Sequence, residues 1–372
     1  KGPISDRGRT FSETPHQSPA TNTDASFGCD TPHINPQQSG SPDALAQHLV
    51  SHERIPRSRQ RRHSMTHTPR LIHTGQALVD VLVDVPHLPR RGGNVMATSY
   101  TRHAGGAVNI LVAAARSGGQ AVHAGAIGTG PNGDLISTTL AEEGVAMSAA
   151  RVPDADTGVC LVLLDPSAER TFITTTGAER AVSIDSFGTS SPRPGDMVCV
   201  TGYSLALPAT RDPLLAWLDT LPAGVGVVLD PGAVFAELDE SVRTHMIDHT
   251  TVWTGNAEES AALGGVGDMV GSLHACAERL RPGTVVITRD GPAGCAVLAD
   301  GSAREIPGFP QQAVDTNGAG DVHTGAMIAA RLAGLNWHEA ARWGNAAAAI
   351  KVTRRGPIAA PNAAEIQRLL NF

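Results

Sequence analysis

From residue 70 onward the chain alternates short apolar runs with longer stretches of helical periodicity. That alternation predicts an α/β fold built on a mainly parallel sheet. Leu71–Val85 reads as a strand with a turn, and Ala121–Ile127 as another strand. Val198–Val200, Val225–Leu229, Thr250–Thr254 and Thr284–Thr288 are short and apolar, as strands buried on both faces are. Ala107–Ser117, Asp134–Glu143, Val322–Leu332 and the Ala-rich Asn336–Val352 read as helices, the first two ended by Gly118 and Gly144. Three segments break the rhythm: Val95–Arg102, Gly158–Leu164 and Arg170–Thr175 are strand-like with no helix between them. They predict a small antiparallel sheet standing off the main one.

Residues 1–64 carry no such pattern. They are rich in Ser, Thr, Pro, Gln and His and end in a basic cluster, Arg54, Arg57, Arg59, Arg61 and Arg62. Such a segment buries too little apolar surface to offset its ordering entropy. It lacks the apolar core of a secretory signal, and its acidic residues argue against a transit peptide. The first methionine is Met65, so 1–64 is expected to be a disordered extension or upstream sequence, and 65–372 the folded domain.

Composition narrows the function. The 372 residues are 41 % hydrophobic, enough for one large α/β domain and a tail. A net charge of −7 gives no basis for a nucleic-acid partner, and 3 % aromatics give no platform for stacking bases. The five cysteines form no C-x-x-C pair, so neither a disulfide framework nor a zinc site is expected. A reducing cytoplasm is the expected setting. No apolar run reaches the ~18 residues of a membrane span, so no membrane partner is expected either.

One run states a chemistry. Asp315-Thr316-Asn317-Gly318-Ala319-Gly320-Asp321 places two carboxylates around a Gly-Ala-Gly turn that opens a helix. Small residues let backbone N–H groups point at an anion, and the helix N-terminus adds a favourable dipole. Asp321 then stands beside that anion pocket as a candidate general base for a hydroxyl. Asp80 closes the first strand-like run, where α/β sheets bind ligands, and a carboxylate accepts hydrogen bonds from adjacent hydroxyls. Gly128-Thr129-Gly130-Pro131-Asn132-Gly133 matches G-x-G-x-x-G, a lone and weak signal for a dinucleotide.

The Asp315–Asp321 run resembles the D-T-x-G-A-G-D signature of the ribokinase-like (pfkB) family of carbohydrate and nucleoside kinases. Further elements follow in the family's order through residues 70–370. The resemblance implies a three-layer α/β/α sandwich with a mainly parallel central sheet and a small β lid that can pair with a second subunit in a homodimer. It implies ATP and Mg²⁺, with Asp321 as base and the N–H groups of Gly318, Ala319 and Gly320 as anion hole. Asp80, Gly105, Gly106 and Asn109 would hold the sugar, with Glu169 between the lid strands as a further contact. Leu78 and Gly106 fall where ribokinases carry Asn and Lys, which argues against ribose itself. Asn256 and Glu259 match N-x-x-E, implying a role for Glu259 toward Mg²⁺ through water. Thr288, Gly291, Gly294 and Asn345 would border the nucleotide. Asp315, Asn317, Lys351, Arg354 and Gly356 would frame a K⁺ site made mostly of carbonyls. A nucleoside kinase of the same fold, or a sugar sensor without catalysis, are the alternatives. Dispersed histidines carry no metal motif, and His323 reads as packing.

Overall fold

Alternate residues of the buried strands feed two different cores. Leu71, Cys199, Val228, Val252 and Ile287 join one apolar cluster, whereas Ile72, Val198, Val227, Leu229, Trp253 and Val286 join another. A sheet with two apolar faces needs a helical layer on each side, and that is the architecture of the computed structural model. It describes residues 67–167, 170–264 and 268–371; the expectations for 1–64 and for Glu169 lie outside them.

In chain order the strands are β1 (Arg70–His73), β2 (Ala77–Asp84), β3 (Ser99–Gly106), β4 (Gln120–His123), β5 (Ala146–Met147), β6 (Val159–Leu164), β7 (Arg170–Thr174), β8 (Met197–Thr201), β9 (Gly226–Asp230), β10 (Val252–Asn256), β11 (Val285–Arg289), β12 (Gly294–Ala299) and β13 (Ser302–Pro307). The main sheet runs β13-β12-β11-β10-β9-β8-β1-β4-β5. All neighbours from β5 to β11 are parallel, and β12 and β13 add an antiparallel edge. The β12–β13 hairpin turns at Asp300-Gly301, both with positive φ (51° and 72°), the geometry that a two-residue Asp-Gly turn supplies.

The helices are α1 (Ala107–Arg116), α2 (Pro131–Glu142), α3 (Ile184–Gly188), α4 (Pro208–Leu218), α5 (Glu240–His249), α6 (Ala257–Leu263), α7 (Met269–Ala277), α8 (Ala319–Leu332), α9 (Trp337–Lys351) and α10 (Ala363–Leu370). α1, α2, α8 and α9 cover the first face of the sheet, through Ile110, Leu111, Ile136, Met327, Ile328 and Ala340. α4, α5 and α7 cover the second, through Leu214, Met246 and Leu273.

Two expectations need correction. Leu71–Val85 is two strands in two sheets, not one strand with a turn. The chain leaves the main sheet after β1, and β2 crosses into the lid. Among the described residues the lid therefore has four strands, ordered β3-β2-β6-β7, and β2 runs parallel to β6. It is mixed rather than antiparallel. Both runs are apolar, so periodicity gave no sign of the crossing. The G-x-G-x-x-G match opens α2, but a side chain already fills the anion position there. The Asp156 carboxylate accepts the N–H groups of Asn132 (3.1 Å) and Gly133 (3.0 Å), leaving no seat for a pyrophosphate.

Candidate active site

The Gly-Ala-Gly turn sits where α8 begins. Gly318 is its N-cap, at φ 75° and ψ 7°, a left-handed conformation that glycine adopts without steric cost. No hydrogen bond among the described residues uses the N–H groups of Gly318, Gly320 or Asp321. These are the unpaired donors of a helix N-terminus. Ala319 departs from expectation: its N–H closes the turn onto the carbonyl of Thr316 (3.2 Å). The outward donors are thus Gly318, Gly320 and Asp321 rather than the Gly-Ala-Gly triplet.

The turn forms one wall of a cleft of about 470 Å³, lined among others by Tyr203, Asp230, Asn256, Arg289, Gly318 and Asp321. Burial and the nearby Asp230 carboxylate raise Asp321 to about 6, against the opposing pull of the Asn109 amide, Arg289 and Lys351. Asn109, from the first turn of α1, donates Nδ2–H to Asp321 Oδ2 at 2.9 Å. That bond fixes which way the carboxylate faces. The other end of the same amide, Asn109 Oδ1, is buried without a partner among the described residues.

Asp80 reaches the same region from β2. It lies opposite His103 of β3, and Gly105 lies opposite Leu78, so Asp80 leans diagonally across Gly105. A Cβ on Gly105 would stand 2.1 Å from Asp80 Oδ2. Only a residue without a side chain leaves the carboxylate its place. Burial, and then Asp321, push Asp80 up to about 7. The strand β3 ends at Gly106 and α1 starts at Ala107, so Gly105, Gly106 and Asn109 come from one strand–helix junction, whereas Asp80 comes from within the neighbouring strand β2 rather than from a strand's carboxyl end.

A network absent from the sequence reading underlies the turn. Arg289, the last residue of β11, donates to Gly320 O (2.9 Å), Thr324 Oγ1 (3.0 Å), Thr254 O (3.3 Å) and both oxygens of Asp230 (3.3 Å each). Its Nη2 is 3.6 Å from Glu259 Oε2. Thr324 also donates to Asp230 Oδ2 at 2.9 Å. Asp230 and Arg289 end two parallel strands at their carboxyl edge, the position that binds ligands in such sheets; that was the available signal. Glu259 is raised by burial first and by Asp230 next. Three carboxylates, Asp230, Glu259 and Asp321, thus share a site with the cations Arg289 and Lys351, a donor set of hard oxygens short of positive charge. It fits Mg²⁺, which prefers oxygen ligands and retains water.

The profile of the pfkB family carbohydrate kinases matches residues 69–364. The chain belongs to that family. It is similar to the uncharacterized sugar kinase YegV of Escherichia coli (strain K12), at 29 % identity over 295 residues, 78 % of this chain and 91 % of the relative. It is similar to the ribokinase of Haemophilus influenzae, at 30 % over 288 residues, 76 % and 92 % respectively. The structure of Arabidopsis thaliana ribokinase complexed with ribose and ATP superposes at a TM-score of 0.69 and 25 % identity, covering 82 % of this chain and all of that one. The ribokinase-like three-layer fold and the carbohydrate-kinase class follow from these.

Along this cleft the anticipated nucleotide residues part ways. Gly291 and Gly294 line it. Thr288 does not: its side chain is buried and pairs with Ser260 Oγ (3.2 Å), because it alternates into the sheet while Arg289 faces the cleft. Asn345 borders the cleft, yet its amide is engaged by Ile306 O (3.0 Å), Pro307 O (3.3 Å) and His323 Nε2 (3.1 Å). It clasps α9 to β13 and α8. His323 is buried, and burial depresses it to about 3, so it is neutral, in keeping with packing. Asn256 and Glu259 form a capping box: Asn256 Oδ1 accepts from Glu259 N and Glu259 Oε2 accepts from Asn256 N, both at 2.8 Å. Asn336/Glu339 and Asn362/Glu365 make the same box on α9 and α10, so the N-x-x-E spacing by itself marks a helix start.

Of the anticipated monovalent-cation residues, Asn317, Lys351 and Gly356 meet around Asp315. Asp315 Oδ1 accepts Asn317 N–H (2.8 Å) and Oδ2 accepts Gly356 N–H (3.0 Å). Between them the buried Lys351 side chain donates Nζ–H to Asp315 O at 2.9 Å. The Arg354 guanidinium turns away to pair with Glu365.

Proposed function

We propose that the chain transfers the γ-phosphoryl group of ATP to a hydroxyl of a sugar or sugar-like molecule. Asp321 accepts the hydroxyl proton, the alcohol oxygen bonds to the γ-phosphorus, and the bond to the β–γ bridging oxygen breaks to release ADP. The free N–H groups of Gly318, Gly320 and Asp321 stabilise charge growing on the transferred group. Asp80 accepts hydrogen bonds from acceptor hydroxyls, with Gly105, Gly106 and Asn109 shaping its surroundings, and that positioning supplies much of the rate. Glu259 and Asp230 would hold Mg²⁺ through water, and the ion would neutralise phosphate charge when bound. Gly291 and Gly294 border the nucleotide, and the lid excludes water.

The observation that carries this reading is the Asn109–Asp321 bond beside the unpaired N–H groups at the start of α8. It supports the reading because it orients the Asp321 carboxylate next to unpaired backbone donors. The names of the relatives support a sugar acceptor; Leu78 and Gly106 argue against ribose. ATP consumption by the full chain with Mg²⁺, across sugars, sugar phosphates and nucleosides, tests it. One strong sugar acceptor is expected. Turnover confined to nucleosides would replace the sugar reading. Pairing of two chains through the lid belongs to the same proposal: Tyr100, Phe172 and Ile173 expose apolar surface on the lid sheet. Sedimentation as a monomer at micromolar concentration would refute that part.

A further inference from the structure

Lys351 ends α9 with its side chain wholly buried. A buried ammonium has to be paired and hydrogen-bonded to persist. Among the described residues its partners belong to one residue: Nζ donates to Asp315 O at 2.9 Å and lies 3.7 Å from Asp315 Oδ2. Among the described residues the Asp315 carboxylate is otherwise held by backbone alone, Oδ1 by Asn317 N–H and Oδ2 by Gly356 N–H. Asp315 thus ties the start of the anion turn to the loop after α9, with one positive charge set between them. That is the work a monovalent cation would do among these groups.

The donor set fits an added cation poorly. The carbonyl of Lys351, one of its anticipated ligands, already accepts Arg354 N–H at 2.9 Å. A second cation beside Asp315 would also face the Lys351 ammonium across a few ångströms of buried space, where like charges repel strongly.

We infer that the Lys351 ammonium is the built-in cation of this site, replacing K⁺ and making the enzyme independent of monovalent salts. The geometry favours this directly: ammonium is close to K⁺ in size and charge, and here it is tethered and cannot exchange. Its position also reaches the chemistry. Burial lowers Lys351 and the Asp315 carboxylate opposes that fall, while the Lys351 charge in turn helps keep Asp321 ionised. Lys351 is therefore a positioning residue for the turn and an electrostatic one for Asp321.

The activity arm of the test rests on the kinase reading above; the unfolding arm does not. The full chain is assayed with Mg²⁺-ATP and its best acceptor in KCl, NaCl or tetramethylammonium chloride at matched ionic strength. Wild type should vary by less than about twofold among them. Lys351→Ala should lose about tenfold or more in tetramethylammonium, and K⁺ or methylammonium at about 0.1 M should restore most of it by entering the vacated space. Lys351→Met fills that space without charge and should stay slow in every salt. In thermal unfolding, K⁺ should raise the Tm of Lys351→Ala relative to tetramethylammonium and leave wild type unmoved. Activation of wild type by K⁺, or a K⁺-specific rise in its Tm, would overturn the inference, as would full activity of Lys351→Ala without K⁺. If no acceptor turns over in any salt, the kinase reading fails and the unfolding arm still decides. If Lys351→Ala does not fold, the wild-type salt series decides.

Discussion

Replacing Gly105 by alanine is the sharpest steric probe of the acceptor site. The new Cβ would lie 2.1 Å from Asp80 Oδ2, 2.3 Å from Cγ and 2.7 Å from Oδ1. Non-bonded carbon and oxygen atoms settle at about 3.5 Å, so the carboxylate must retreat by roughly 1 Å or more. Gly105 pairs with Leu78 in regular antiparallel register and is not among the glycines with positive φ, so the alanine adds no backbone strain and the whole effect falls on Asp80. A misplacement of about 1 Å costs on the order of 10²-fold in rate, or about 2.7 kcal/mol of transition-state stabilisation. Steady-state kinetics at saturating ATP should show that loss in kcat/KM for the sugar, with the KM for ATP changed by less than about twofold. The double variant Gly105→Ala with Asp80→Ala should be no slower than Asp80→Ala alone, because both act on one carboxylate. A loss under about threefold, or additive losses in the double variant, would refute the steric argument.

Three further outcomes follow from the same geometry. Asp321→Asn should keep nucleotide binding and lose about 10²- to 10⁴-fold in kcat, the usual worth of a general base; in wild type the acid limb of kcat/KM should fall near pH 6, where Asp321 takes up its proton, and a limb near pH 4 would remove it from that role. Asp80 is raised to about 7 when folded, so the folded state binds the extra proton and stability falls as pH rises through the window from about 4 to 7; Asp80→Asn should therefore raise the Tm of the free protein at pH 8 by the equivalent of about 2–4 kcal/mol and change little at pH 4. Arg289→Met removes the shared partner of Asp230 and Glu259, whose side chains are only 12 % and 11 % exposed, and should cost about 3–5 kcal/mol in denaturant unfolding, a neutral result showing that the carboxylates find another counter-charge.

Much of this is legible in the amino-acid sequence. The alternation of apolar runs and helical stretches gave the parallel sheet, and the Asp315–Asp321 run located both the anion turn and Asp321. What stayed hidden depends on tertiary pairing. The path of β2 from the main sheet into the lid leaves no mark in a run that is apolar throughout. Arg289 reads as one more residue after a strand, although it joins Asp230, Gly320 and Thr324 across three elements. Thr288 fits the motif, yet strand alternation turns it inward, away from the cleft. Ala319 was misread because a turn can close on its own N–H. Lys351 was read for its carbonyl alone, since a lysine in an Ala-rich helix gives no hint that its ammonium is buried against Asp315.

The most direct measurement is the product of the reaction itself. The full chain would be incubated with Mg²⁺ and ATP labelled in the γ-phosphate, with each member of a sugar panel, and the label followed by chromatography and phosphorus NMR. The account predicts one phosphate ester on a sugar hydroxyl, formed with one ADP per ester and lost in Asp321→Asn. Label released only as inorganic phosphate, or an ester formed equally well by Asp321→Asn, would contradict it.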